Sequence, residues 1–376
     1  PLVALVNLTN REAGGNGIAG GLAAAIYNGV DSSGAATELE FPLVKNNHFN
    51  KTTTFYLQNA GAAATTIDVT FVVGVTSYPY TTPSIDPGQM VAVDPGLAGV
   101  PSGNGNVGAM SLVATQPIAG AMLEHESTAS VGTVLQGSGP GVGEDTIYCP
   151  TYKQNHFGRS SGIQVQNLHT SAQDITATFK NASNTFTSTK EDVAPGASVT
   201  FINDSNVTSG TLFAATVVGA DGPVAAVVNE SELPLVNANQ TSTTYNCAGA
   251  SSASTTASYP AYKETRFGRT TALQVQNIGN AAATNVVLTF TDNNGNVRTT
   301  NAQTIEAGAS STYLCVSGNA ALWDGTALDS NTLSGVTVTA DQNILITANE
   351  ASFTEACVAN NASGFDKSTT EGFSVQ

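Results

Sequence analysis

Seven of the twelve lysines and arginines fall in one recurring segment: Lys45 and Lys51; Lys153 and Arg159; Lys263, Arg266 and Arg269. A glutamate recurs in phase with them, at Glu124, Glu230 and Glu350, each near the end of a short apolar stretch. Charge is scarce in this chain (11% of residues), so the coincidence points to ion pairs. Lys45, Lys153, Lys263, Arg159 and Arg269 are expected to meet Glu124, Glu230 and Glu350, either within one copy of the segment or across a junction between copies. At a partly exposed strand end such a pair adds only about 0–1 kcal/mol, so it would set register more than stability.

Reactive constellations are otherwise sparse. His48 and His156 share one position of the recurring segment, where the third copy has Arg266; a catalytic or metal-binding role rarely survives that exchange. Glu124-His125-Glu126 puts three polar residues in a row, but alternate strand residues face opposite ways and cannot close on one ion. No nucleophile-elbow, S-x-x-K or H-E-x-x-H pattern occurs. Gly14-Gly15-Asn16-Gly17 lacks the Lys-Ser/Thr that a phosphate loop needs. No cofactor is implied and no enzyme activity is expected. Structural calcium at the acidic loops is the one ion considered, without the D-x-D-x-D-G ladder that would specify it. The net charge of −16 repels nucleic acid and anionic membrane surfaces. No run of 18 apolar residues is present, so membrane insertion is not expected.

Cys149, Cys247, Cys315 and Cys357 show neither CxxC spacing nor nearby histidine, which argues against zinc. An even count suits two disulfides in an oxidising compartment. Three pairings are open; Cys149–Cys247 and Cys315–Cys357 are favoured because each closes within one copy.

What positions these residues is a repeat. FPLVKNNHFNKTTTFYLQN from Phe41 returns as CPTYKQNHFGRSSGIQVQN from Cys149 and as YPAYKETRFGRTTALQVQN from Tyr259. Pro42, Pro150 and Pro260 mark the period, and Asn59, Asn167 and Asn277 keep its phase. A turn follows in each copy, at Asp86-Pro87-Gly88, Ala194-Pro195-Gly196 and Glu306-Ala307-Gly308, with glycine where a type II turn demands positive φ. Closing strands read PIAGAMLE, PVAAVVNE and NILITANE. Short alternating stretches such as Ile163–Asn167, rich in Thr and Val, read as half-buried strands. About seven per copy, with turns every 8–12 residues, is the pattern of an Ig-like sandwich, with a closed barrel as the other all-β candidate. The expected fold is all-β: three tandem Ig-like antiparallel sandwiches at 38–146, 147–257 and 258–376. An N-terminal extension precedes them over 1–37. Gly20–Tyr27 is the single stretch read as helix.

The extension carries an apparent orphan. PLVALVN over Pro1–Asn7 matches PVAAVVN over Pro223–Asn229, so it reads as a closing strand without a body. Either the chain is a mature product or part of a longer array, or Leu2, Val3, Ala4, Leu5, Val6 and Asn7 form an assembly strand donated to a neighbouring molecule. Sequons at Asn7, Asn50, Asn181, Asn203, Asn206, Asn229, Asn239 and Asn361 are compatible with glycosylation of an exported protein.

The pattern resembles a family of secreted repeats on bacterial cell surfaces. It is carried here by Pro150, Lys153, Gly162–Asn167 and Pro223–Glu230, with weaker echoes in copies one and three. The resemblance implies tandem Ig-like sandwiches outside the cell and brings no catalytic residues. The expected function is that of an extracellular structural protein, a subunit of a self-assembling surface layer, sheath or filament whose partners are copies of itself. An adhesin or stalk that binds cell-surface glycans is the alternative, with Trp323 as its candidate aromatic platform. A non-catalytic portion of a secreted hydrolase is the third reading.

Overall fold

The computed structural model describes residues 5–10, 23–28, 34–126, 143–156, 158–232, 242–266, 268–352, 368–371 and 373–374. The protein is all-β, with antiparallel pairing throughout the described ladders and four short 3-10 turns among the described residues. Three hydrophobic cores succeed one another along the chain. The first centres on Phe41, Phe55 and Phe71, the second on Tyr152, Phe179 and Phe213, the third on Tyr262, Phe290 and Trp323. Aromatic edge-to-face contacts tie the layers, as between Phe41 and Phe55 (5.2 Å) and between Tyr262 and Phe290 (4.9 Å). Each core is the inside of an Ig-like β-sandwich.

Repeat 2 shows the sandwich most plainly. One sheet holds Arg159–Asn167 between Ser198–Phe201 and Val224–Glu232, with Ser242–Asn246 outside the latter. The other runs Thr185–Val193, Gln173–Lys180, Thr211–Gly219, Thr146–Gln154. In repeats 1 and 3 the two closing strands fuse. Val107–Glu126 is one strand of 20 residues and Thr332–Ser352 one of 21, each pairing with one sheet along its first half and the other along its second. The short strands expected from the sequence are thus joined in two copies. The difference is local: repeat 2 has the turn pair Asp221-Gly222 at the crossover, whereas repeat 1 has Thr115-Gln116 there and stays extended through Pro117, the counterpart of Pro223. Repeat 3 has Asp341-Gln342-Asn343, which can stay extended.

The recurring asparagine is the corner of each sandwich. Asn59, Asn167 and Asn277 are fully buried. In each, the side-chain amide donates to two carbonyls: Ala63 and Ile85, Ser171 and Val193, Ala281 and Ile305, at 2.8–3.0 Å. Its backbone carbonyl accepts from the turn glycine, Gly88, Gly196 or Gly308 (2.8, 2.9, 2.8 Å). Those glycines have φ of 79°, 72° and 75°, the left-handed region the turn needs.

Leu5–Asn10 pairs with Ala23–Asn28, so Leu5, Val6 and Asn7 face Asn28, Tyr27 and Ile26 in a hairpin. This corrects one expectation. The segment read as helix is a strand from Ala23, because the six residues Ala23–Asn28, with Ile26 and Tyr27 among them, gain more from a ladder than from one costly helical turn. The described part of the orphan strand is paired within its own chain; Leu2, Val3 and Ala4 lie outside the described residues.

Cys149 and Cys247 form a disulfide, buried in the core of repeat 2 with Cα atoms 4.6 Å apart. Cys315 is also disulfide-bonded, and its expected partner Cys357 lies outside the described residues. No helix among the described residues is long and apolar enough to cross a membrane.

Candidate functional site: a buried ion-pair cluster beside each junction

The strand after each period-marking proline runs beside the strand that ends in the recurring Glu, and the cations meet that carboxylate. Lys45 Nζ lies 2.6 Å from Glu124, with Lys51 Nζ at 3.5 Å. Lys153 lies 2.9 Å from Glu230, with Arg159 at 3.9 Å. Lys263 lies 2.5 Å from Glu350, with Arg269 at 3.9 Å. A hydroxyl completes each cluster: Thr53, Ser161 and Thr271 accept from the backbone N–H of Lys45, Lys153 and Lys263 (3.1, 3.1, 3.0 Å). All three pairs form within one copy.

The clusters of repeats 1 and 2 are far more buried than a strand end. Glu124 is 0% exposed and Arg159 2%. Burial alone would raise the Glu124 carboxyl, but the charges of Lys45 and Lys51 outweigh it and hold the group below its ordinary value. Burial, with the neighbouring Lys51 charge, draws Lys45 down despite Glu124. Such a pair is weak evidence for net stability, yet removing one partner strands a buried charge.

What buries them is the next repeat. Asn229 of repeat 2 donates to Glu124 (3.2 Å), and Lys51 donates to Ser231 (3.5 Å). Asn349 holds the position of Asn229 in repeat 3 and is buried too. The two junctions reuse the same positions. A Cβ at Gly196 of repeat 2 would lie 3.5 Å from Val72 of repeat 1, and one at Gly308 of repeat 3 would lie 3.7 Å from Lys180 of repeat 2. Val72 and Lys180 follow the matching residues Phe71 and Phe179. Gln166 donates to Glu40 (2.9 Å) and Ser111 (3.1 Å) of repeat 1, while Gln276 donates to Ala215 of repeat 2 (3.5 Å). Val227 packs into the core cluster of repeat 1, and Thr347, its counterpart, shares a hydrogen bond with Thr151 (2.7 Å).

Glu40 had no signal in the sequence, because its counterparts are Tyr148 and Ser258. Burial pushes its carboxyl up to about 7 against the hydrogen bonds of Ser111 and Gln166, with Glu38 adding to the rise.

The remaining candidates are placed as follows. Trp323 is 4% exposed, stacks near Phe290 (5.5 Å) and donates to Val316 (2.9 Å), so it is a core residue and not a platform. Asn50, Asn203 and Asn206 are exposed and Asn181 is half-buried. Asn229 is unsuited to carry a glycan, since its amide donates to Glu124 and Thr244. Asn7 lies on the first strand; Asn239 and Asn361 lie outside the described residues. No group of three metal-ligating side chains occurs among the described residues. Arg266 donates to the backbone and side-chain oxygens of Asn331 (3.2 and 3.3 Å).

No family model matches the chain, and no curated protein does. Among solved structures it is similar to the crystal structure of Thermotoga maritima 1070, at 14% identity over 27% of this chain and 90% of that one, with a TM-score of 0.23. It is also similar to an anti-sigma factor domain-containing protein, at 7% identity over 51% of this chain and 78% of that one, with a TM-score of 0.10. Likeness at these scores carries no functional argument.

Proposed function

We propose that this chain is an extracellular structural protein whose repeats stack head to tail, and whose two end faces join copies into a cell-surface layer, sheath or filament. One observation carries the reading. The junction glutamine is fully buried as Gln166 and Gln276, whereas its counterpart on repeat 1, Gln58, is exposed. Gly88, counterpart of Gly196 and Gly308, is exposed as well. At the other end, Thr291, in the position of Val72 and Lys180, is exposed, and Ser258 and Thr337 are half-buried. Repeat 1 thus presents the glutamine-bearing, donating half of the junction and repeat 3 the receiving half, and a second copy supplies the complement of each. A disulfide-pinned core and low charge suit an exported, close-packing subunit. The burial of Trp323 takes away the platform that favoured a glycan-binding stalk.

Light scattering across a concentration series, with negative-stain microscopy, tests this. Rods or sheets built from whole copies are expected, and Gln58→Arg, which puts a charge on the open face, is expected to return the protein to monomer. A monomer at every concentration, or assembly indifferent to Gln58→Arg, would contradict the proposal.

A further inference from the structure

Three side chains from two repeats meet at one oxygen atom. Glu124 Oε2 accepts from Lys45 Nζ (2.6 Å) and from Asn229 Nδ2 (3.2 Å), and Lys51 stands at the other oxygen, Oε1 (3.5 Å). Lys45 and Glu124 belong to repeat 1, Asn229 to repeat 2. A primary amine and a carboxamide held on one carboxylate are the reactants and the proton carrier of an amide exchange. Holding them side by side removes much of the entropic barrier to that reaction.

Each partner is prepared for it. Burial, against the charge of Glu124, lowers the pKa of Lys45 and so favours the free amine that attacks. Asn229 is fixed in place: its amide also donates to Thr244 Oγ1 (3.3 Å), and its carbonyl oxygen accepts from Ser231 Oγ (3.4 Å). A donor on that oxygen meets the charge that develops there during attack. Lys45 and Asn229 also border the cleft between the repeats, a way out for a small product. The repeat pattern agrees. The cation nearest the glutamate is lysine in every copy, Lys45, Lys153 and Lys263, whereas the second is Lys51, Arg159 or Arg269. A guanidinium pairs with a carboxylate at least as well, but it stays charged and does not attack a carbonyl carbon. Asparagine precedes the glutamate in repeats 2 and 3, at Asn229 and Asn349. Leu123 stands there in repeat 1, which covers no earlier sandwich among the described residues.

We infer that Lys45 and Asn229 join in an isopeptide bond that locks repeat 2 to repeat 1. The lone pair of Nζ forms the new bond to Asn229 Cγ, and the Cγ–Nδ2 bond breaks. Starting from the ammonium, Nζ gives up two protons by way of Glu124, and both pass to the departing Nδ2, which leaves as ammonium. Glu124 ends as the carboxylate it began as, charge is conserved, and no oxidant or cofactor is consumed. Both reacting groups lie within one chain, so the bond forms whether or not copies assemble.

The intact mass of the reduced and denatured full chain, with a tryptic map of it, tests this. The chain is expected to weigh less than its sequence by at least one ammonia. The map is expected to contain a branched peptide that joins the Lys45 and Asn229 segments and is uncut after Lys45. Lys45→Arg keeps the cation beside Glu124 and is expected to lose the branched peptide and regain the ammonia. Asn229→Ala, at a half-buried side chain, is expected to do the same and serves if Lys45→Arg misfolds. The full sequence mass in the folded chain, a deficit that maps only to other residues, or a branched peptide unchanged by either variant would overturn the assignment.

Discussion

The ion-pair clusters of repeats 2 and 3 hold the same residues at nearly the same distances, yet they sit in different surroundings. Side-chain exposure is 9% for Lys153 and 4% for Glu230, against 26% for Lys263 and 13% for Glu350. Arg159 and Arg269 differ more, at 2% and 28%. The repeat makes the pair; the repeat that follows buries it. Repeat 3 has no successor among the described residues, so its cluster shows what the others look like before docking. The same chemistry is therefore worth different amounts along one chain, since burial turns a weakly contributing pair into one that cannot lose a partner.

The sharpest way to break this comparison is to neutralise the glutamates one at a time. Glu230→Gln leaves two cations buried and should cost about 3–5 kcal/mol of repeat 2 stability. Glu350→Gln, in the uncapped cluster, should cost about 1 kcal/mol or less. Chemical denaturation followed by hydrogen exchange in each repeat measures both, and equal losses would show that docking does not set the depth.

A control on the repeat itself comes next. Asn167→Ala and Asn277→Ala each remove a buried amide that serves two carbonyls, for about 2–4 kcal/mol. These asparagines act wholly inside their own repeats, so the two losses should match within error, unlike those of the glutamates.

The two junctions differ in a smaller, pH-dependent way. Glu40 has a folded-state value of about 7, above its ordinary 4.5, so its contribution is full below pH 4.5 and is lost as pH rises through 7. Junction 1–2 should therefore weaken by up to about 3 kcal/mol between mildly acidic and mildly alkaline solution. Junction 2–3, with Tyr148 at that position, should not follow. Hydrogen exchange of Gln166 and Gln276 backbone amides at pH 5 and pH 8 reads both, and Glu40→Gln should flatten the first.

Much of this frame was legible in the sequence, because a repeat prints its own constraints three times. The turn glycines, the corner asparagines and the phase of the cations against the glutamates all follow from one register. Depth did not. Glu124 and Arg159 look like strand-end charges until a neighbouring sandwich covers them, and for Glu124 that neighbour's contribution comes from Asn229 and Ser231, ordinary residues of a closing strand. Glu40 was invisible for the opposite reason: it is a departure from the pattern, and a reading built on recurrence passes over what occurs once. The Ala-rich stretch before Tyr27 misled through composition, since its partner strand and not its propensity decides its state.

The central claim is that the internal junction repeats between molecules. Pairing Gln58→Cys with Ser258→Cys places thiols at the positions that meet as Gln166 and Glu40 inside the chain. Under mild oxidation the account predicts a ladder of covalent multimers on a non-reducing gel, absent when Ser258→Cys is replaced by Thr284→Cys on another exposed surface. Monomer in both cases, or the same ladder in both, would contradict it.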